Sequence, residues 1–260
     1  MAIDAATLSE TLEQLSDADT ARRIGREVRT IRGVRGVGGA EIAQLATAAW
    51  EESAVDLDKD EDELTALFGA AFEDGLLAIA LLAGVVPDAP HDVLDIGVAW
   101  LTRVDDHQTA DALGWMVLGP ALLACGAPLQ VVLGPARALG HVAPRRAALM
   151  MGMAMTPETA QGPAAAVLRQ RLGNRHIQFV EQAVSTHLTE LCTLFLRDEA
   201  PPVRKALRRV LGAWARSDPD AASGFIDGVR GGVPKMLRQE VVKGARKGRR
   251  LQARSEGVTG

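Results

Sequence analysis

The chain has 260 residues, 47% of them hydrophobic but only 3% aromatic and none tyrosine, and a formal charge of −4. That length supports one large domain or a repeat array with a sizeable core, and a usage dominated by Ala, Leu, Val, Arg, Asp and Glu favours helices over sheets. The acidic total argues against a generic, sequence-blind nucleic-acid coat, yet it averages over unlike parts. Residues 51–63 hold eight acids and one lysine, whereas from Arg197 onward 15 Lys/Arg face 7 Asp/Glu, a surplus of +8 that leaves −12 for the rest. One basic face is compatible with such a distribution.

In chain order, residues 4–15 and 18–31 read as helices, the second with Arg22, Arg23, Arg26, Arg29 and Arg32 making part of its circumference basic. Gly33-Val-Arg-Gly-Val-Gly-Gly is a breaker, and with no apolar strand before it the run reads as a loop and not as a dinucleotide-binding turn. Ala40 to Glu52 is amphipathic (Ile42, Leu45, Ala46, Trp50), and the acidic segment 56–63 leads into a helix with Leu64, Leu67, Phe68 and Phe72 as its apolar face. Glu73 to Val86 is almost wholly apolar, the pattern of a helix buried between neighbours. Pro87 and Pro90 end it. Helices follow over 91–104, 107–124, 128–139 and 144–155, with Pro128 and Pro144 expected in first turns, where the missing N–H does no harm. Residues 158–197 hold two helices divided near Gly173-Asn174, and 202–216, 219–230 and 234–250 complete the series.

Roughly a dozen helices with short proline-marked joints and no strand pattern predict an all-α curved solenoid of antiparallel helix pairs, at the ~40-residue spacing of HEAT-type repeats. The expectation is a single domain over 1–250 with a flexible tail over 251–260; a compact helical bundle is the alternative. No stretch approaches the ~20 apolar residues of a membrane span, and the N-terminus has no basic region before an apolar run. Cys125 and Cys192 sit in apolar helical surroundings and read as small buried hydrophobes in a reducing compartment. These features predict a soluble, cytoplasmic protein without membrane contact.

The charged chemistry concentrates at two places. His107-Gln-Thr-Ala-Asp111 places a carboxylate at the head of an apolar helix, where about half a unit of positive charge favours the ionised form. Pro144-Arg145-Arg146-Ala-Ala opens another apolar helix with two guanidinium groups. A held carboxylate and a held arginine on neighbouring helices can face a cationic sugar or base and a phosphate; the alternative is a capping Asp beside surface arginines. His107, one turn before Asp111, is placed to pair with it and hold its rotamer, or else is a solvent-exposed histidine at a helix start. Arg204, Lys205, Arg208 and Arg209 share one helix, which is either an exposed charged face or, on the inner side of a solenoid, a track for a DNA backbone. Arg169, Arg171, Arg175 and His176 form a further candidate basic rim. Trp50, Trp100, Trp115 and Trp214 lie on apolar helical faces and are expected in the core. The five histidines show no metal-ligand spacing with each other or with cysteine, and neither a Walker loop nor a Gly-x-Ser-x-Gly elbow occurs, so neither metal nor cofactor is expected.

Several of these runs resemble the AlkD-type DNA alkylation repair glycosylases, a HEAT-like family, over about Ala21 to Lys243. They are Gly33-Val-Arg-Gly-Val with the following helix, Thr109-Ala-Asp111 with Gly119 eight residues on, the Arg145-Arg-Ala-Ala helix start, and Val203-Arg-Lys-Ala-Leu-Arg-Arg-Val-Leu-Gly-Ala-Trp-Ala-Arg-Ser-Asp-Pro-Asp220. The resemblance implies a monomeric clamp with a basic concave groove around duplex DNA. Such a clamp excises cationic N3- and N7-alkylated purines without flipping the base into a pocket. It also implies that Asp111 is the catalytic carboxylate and that Arg146 contacts a phosphate. Two tryptophans that cradle the lesion in the family are replaced here by His107 and Arg209. A non-catalytic HEAT-like module that binds DNA structure or a protein partner is the competing expectation.

Overall fold

The structure, a computed structural model, describes residues 3–52, 55–156 and 181–257. Among these residues there is helix and no strand: α1 (Ala5–Gln14), α2 (Ala18–Val28), α3 (Gly39–Glu52), α4 (Leu57–Gly69), α5 (Phe72–Ala83) and α6 (Pro90–Trp100) form the N-terminal half. After a 3-10 turn, α7 (His107–Ala112) runs through a π-helical stretch (Leu113–Leu118) into α8 (Gly119–Cys125), followed by α9 (Gln130–Ala138) and α10 (Val142–Ala154). The C-terminal part comprises α11 (Glu181–Phe195), α12 (Pro201–Ser217), α13 (Pro219–Gly228) and α14 (Lys235–Gly257). The expected basic rim Arg169, Arg171, Arg175 and His176, and the break near Gly173-Asn174, lie outside the described residues.

Helices pack on neighbours in the chain. α5 lies against α3 and α4, α6 against the π stretch and α8, α10 against α7, α8 and α9, α12 against α10 and α11, and α14 against α12 and α13. Contact between sequential elements is the signature of a helical-repeat solenoid, in which each unit cannot bury its apolar face alone. One continuous core runs from Ile3 to Ala245. α5 illustrates the logic: every residue in it except Leu76 is buried, as its nearly uninterrupted apolar sequence requires. Its two buried acids are both satisfied. Glu73 accepts from the N–H groups of Arg35 and Gly36 (3.0 and 2.8 Å), and Asp74 accepts from Arg35 Nε (2.9 Å). The glycine-rich breaker is thus a loop pinned to the N-terminus of α5, where carboxylates are favoured.

Trp50, Trp100 and Trp214 are buried and Trp115 packs against the core, as the apolar faces of their helices predict. Trp100 stacks on Phe68 with centroids 4.2 Å apart and donates to Thr65 Oγ1 at 3.0 Å. Some boundaries differ from expectation. α2 stops at Val28 because Arg29 takes a left-handed conformation (φ 56°), so Arg32 is not part of a basic helix face. Pro128 stands before α9, and the proline inside that helix is Pro135. α14 continues past Arg250 to Gly257, through residues whose composition suggests a tail. Among the described residues no helix is long and apolar enough to cross a membrane.

Candidate functional site

The site is built where α7, α10 and α12 meet. The start of α7 is fixed by Asp106, whose carboxylate accepts from the N–H groups of Gln108 and Thr109, both at 2.8 Å. Asp106 is therefore the helix cap, and Asp111, one turn further on, is not. Arg32 clamps this cap from the breaker loop: its Nη2 lies 2.6 Å from Asp106 Oδ2 and 2.7 Å from Thr109 Oγ1. Its Nε donates to Asp105 at 3.1 Å and its Nη1 to the Phe68 carbonyl at 3.2 Å. Burial pushes the Asp105 carboxyl up, but hydrogen bonds from the Thr30 hydroxyl and Ile31 N–H, with the Arg32 charge, outweigh it and hold Asp105 below the usual carboxylate range.

Beyond Asp111 the helix changes pitch. Gly119 N–H donates to Gly114 O, five residues back, which is the π-helical pattern often found at functional sites. This stretch is pressed onto α10: a Cβ on Gly114 would lie 2.1 Å from the Ala147 carbonyl oxygen. Only a missing side chain allows that approach. It also brings Asp111 level with Arg146, 35 residues on.

Arg146, 3% exposed in its side chain, grips Asp111 with both ends of its fork: Nε to Oδ1 at 2.6 Å and Nη2 to Oδ2 at 2.8 Å. Its Nη1 donates to the Pro202 carbonyl at 2.7 Å, tying the start of α12 to the same guanidinium. A bidentate carboxylate–guanidinium pair of this kind fixes position as well as charge. A second arginine completes the group. Arg209 of α12 reaches Asp111 Oδ2 at 2.6 Å, with 47% of its side chain exposed against 16% for the carboxylate. One carboxylate with two guanidiniums leaves the cluster at +1.

The structure thus brings together Asp111, Arg146 and Arg209 and separates the other candidates from them. His107, the first residue of α7, makes no bond to Asp111, whose oxygens accept from the two arginines; the pairing expected of it is not made because Arg146 already holds the rotamer. Arg145 turns the other way along α10, its Nε 3.2 Å from Asp198 Oδ2 but out of line for a hydrogen bond. Arg208 pairs with Glu240 of α14 at 3.1 Å. Arg204 lines a separate cavity of about 970 Å³ with Phe225 and Val229, and Lys205 is exposed on the Arg209 side of α12. The residues that sequence reasoning missed are Arg32, Asp105 and Asp106. The available signal was Asp106 followed by Thr109 at a helix start, a capping pattern that the more conspicuous Asp111 obscured. Among the described residues no group of three or more His, Cys, Asp or Glu side chains is placed to hold a metal ion.

Fold and site together define a helical-repeat protein with a carboxylate held by a buried arginine and joined by a second, half-exposed one. Residues 8–243 match the family described as DNA alkylation repair enzyme, and the chain belongs to that family. Membership makes it an enzyme of DNA repair, with DNA as its partner. No curated protein and no solved structure matches it at a significant level.

Proposed function

We propose that the protein is a DNA glycosylase that holds duplex DNA in a basic concave groove and hydrolyses the N-glycosylic bond of cationic N3- or N7-alkylated purines without base flipping. The observation that carries this reading is the Asp111 carboxylate, fixed bidentately by buried Arg146 and joined by half-exposed Arg209. An alkylated purine is already a cationic leaving group, so the bond needs no general acid at the base. Positive charge develops instead on the deoxyribose. A preorganised carboxylate beside it is worth ~3–4 kcal/mol in the transition state, and it can also orient the attacking water.

Arg209 stands where the resemblance places a lesion-cradling tryptophan, and it occupies the carboxylate that the sugar cation needs. It is the replaceable partner of the two: half-exposed and joined by one bond, it can exchange Asp111 for a phosphate oxygen of bound DNA, a geometry guanidinium groups favour. Arg146 then remains as the fixed counter-ion. The same ion pair supports a second reading, a non-catalytic module that binds DNA structure or a protein partner, because a carboxylate already neutralised has little pull on a cation. Release of 7-methylguanine or 3-methyladenine from alkylated duplex under single-turnover conditions decides between them. The glycosylase reading expects release, reduced ~10²-fold or more in Asp111→Asn. No release from methylated or bulkier adducts by the wild-type protein would establish the second.

A further inference from the structure

Of the basic C-terminal third noted in the sequence, the Asp111 site uses Arg209. The largest share of that third lies on α14. With ~100° between successive helical residues, Lys235, Lys243, Arg246 and Arg250 fall within ~80° of the circumference. The face opposite, Leu237, Val241 and Ala245, is buried against the rest of the protein. From Lys235 to Arg250 the stripe is ~22 Å long.

An ordinary solvated helix face interleaves acids with its lysines and arginines. This one does not. Lys235, Lys243, Arg246 and Arg250 make no ion pair or side-chain hydrogen bond among the described residues, and together with Lys247 and Arg216 they line one groove of about 860 Å³. The single acid in that groove, Glu240, is taken by Arg208. The cations of α14 that flank the stripe are, by contrast, neutralised: Arg238 by Asp227 at 3.0 Å and Arg249 by Asp220 at 2.9 Å. Within the groove, the uncompensated cations of α14 are therefore those of the stripe and Lys247 beside it.

The stripe is also linked through α12 to the Asp111 site. Arg209 and Arg216 are seven residues apart on α12, two turns along one face, with Lys205 a turn before them. Arg209 reaches Asp111, and Arg216 opens into the α14 groove. α14 is seated so closely on α12 that a Cβ on Gly248 would lie 2.4 Å from the Arg216 carbonyl oxygen. The two basic surfaces are thereby fixed relative to each other.

We propose that the α14 stripe, Lys235, Lys243, Arg246 and Arg250, is a second binding surface for the phosphate backbone of duplex DNA, engaging the duplex beyond the segment held at Asp111. The partner is a polyphosphate by charge complementarity. Duplex DNA carries one negative charge per ~1.7 Å, so ~22 Å of helix face meets more phosphates than it has cations, and each contact releases counterions. The inference rests on duplex DNA being the ligand of the Asp111 site.

Its test is the salt dependence of binding to an undamaged duplex by the full chain and by a variant with Lys235→Gln, Lys243→Gln, Arg246→Gln and Arg250→Gln. Glutamine is a good helix former and these positions face solvent, so circular dichroism and melting should match the wild type. The expected result is a log–log slope shallower by about three to four, with affinity at low salt falling to match. A control with Arg246→Lys and Arg250→Lys keeps the wild-type slope. An unchanged slope in the glutamine variant would place the DNA elsewhere and overturn the inference. So would wild-type protein that ignores duplex DNA but sediments with phosphatidylserine-containing vesicles through this stripe. Slope loss without any base release by the wild type would uphold the surface while rejecting the glycosylase reading, so the two fail separately.

Discussion

Replacing Asp111 tests both what the carboxylate does for the fold and what it does for chemistry. Asp111→Asn preserves shape but turns one acceptor oxygen into a donor facing a guanidinium. Arg146, 3% exposed, would keep the Pro202 carbonyl and lose its counter-charge. Leaving a buried charge unpaired in this way costs ~3–5 kcal/mol. For a domain of this size each kcal/mol moves the melting temperature by ~2–4 °C, so a fall of roughly 6–20 °C is expected. Arg209→Gln removes a partner that is 47% exposed, and such half-solvated pairs contribute ~0–1 kcal/mol, a shift of no more than about 4 °C. Thermal melts followed by circular dichroism measure both. Combining Asp111→Asn with Arg146→Gln should recover part of the loss, since ion-paired neighbours couple by ~0.5–3 kcal/mol. A melting temperature for Asp111→Asn within about 2 °C of wild type would refute the reasoning, because it would mean that Arg146 does not depend on this carboxylate. Base release must accordingly be assayed well below the variant's own melting temperature.

Arg32→Ala should loosen the start of α7 by leaving Asp105 and Asp106 without their shared guanidinium; amide exchange at Gln108 and Thr109 should rise, and unchanged protection would exclude the clamp. Gly114→Ala drives a Cβ to 2.1 Å from the Ala147 carbonyl oxygen and must push α10 away; ~1–3 kcal/mol of destabilisation in chemical unfolding is expected, and a neutral effect would show that the π stretch gives way at no cost. Because the folded-state pKa of Asp105 lies below its unfolded value of ~3.9, its stabilising contribution is complete above that pH and is lost as pH falls through the lower folded value. Melting temperature should therefore decline below about pH 4, and less steeply in Asp105→Asn. Burial pushes the Cys192 thiol up, so it should resist thiol-reactive dyes until the protein is denatured.

What the sequence by itself determined was the local part of the problem. Helix positions follow from apolar spacing and from prolines and glycines, which act within a few residues; hence the near agreement over α3, α6, α10 and α12. The near-continuous apolar run of α5 likewise announces its own burial. Asp111 and Arg146 were legible as a carboxylate and a guanidinium heading neighbouring helices. Tertiary structure decided which charges meet. One residue along a helix is ~100° of rotation, so Arg145 and Arg146, or Arg208 and Arg209, answer to different neighbours although nothing local separates them. Arg209 lies 98 residues from Asp111, and Arg32 lies 74 from Asp106. Both pairings depend on how closely whole helices approach, as at Gly114 against Ala147, and no window of sequence contains that distance. The choice between a capping and a held Asp111, open in the sequence, was decided in the same way. A carboxylate near a helix start can bond the backbone or a distant arginine, and only the packing of α10 against α7 assigned Asp106 to the first role and Asp111 to the second.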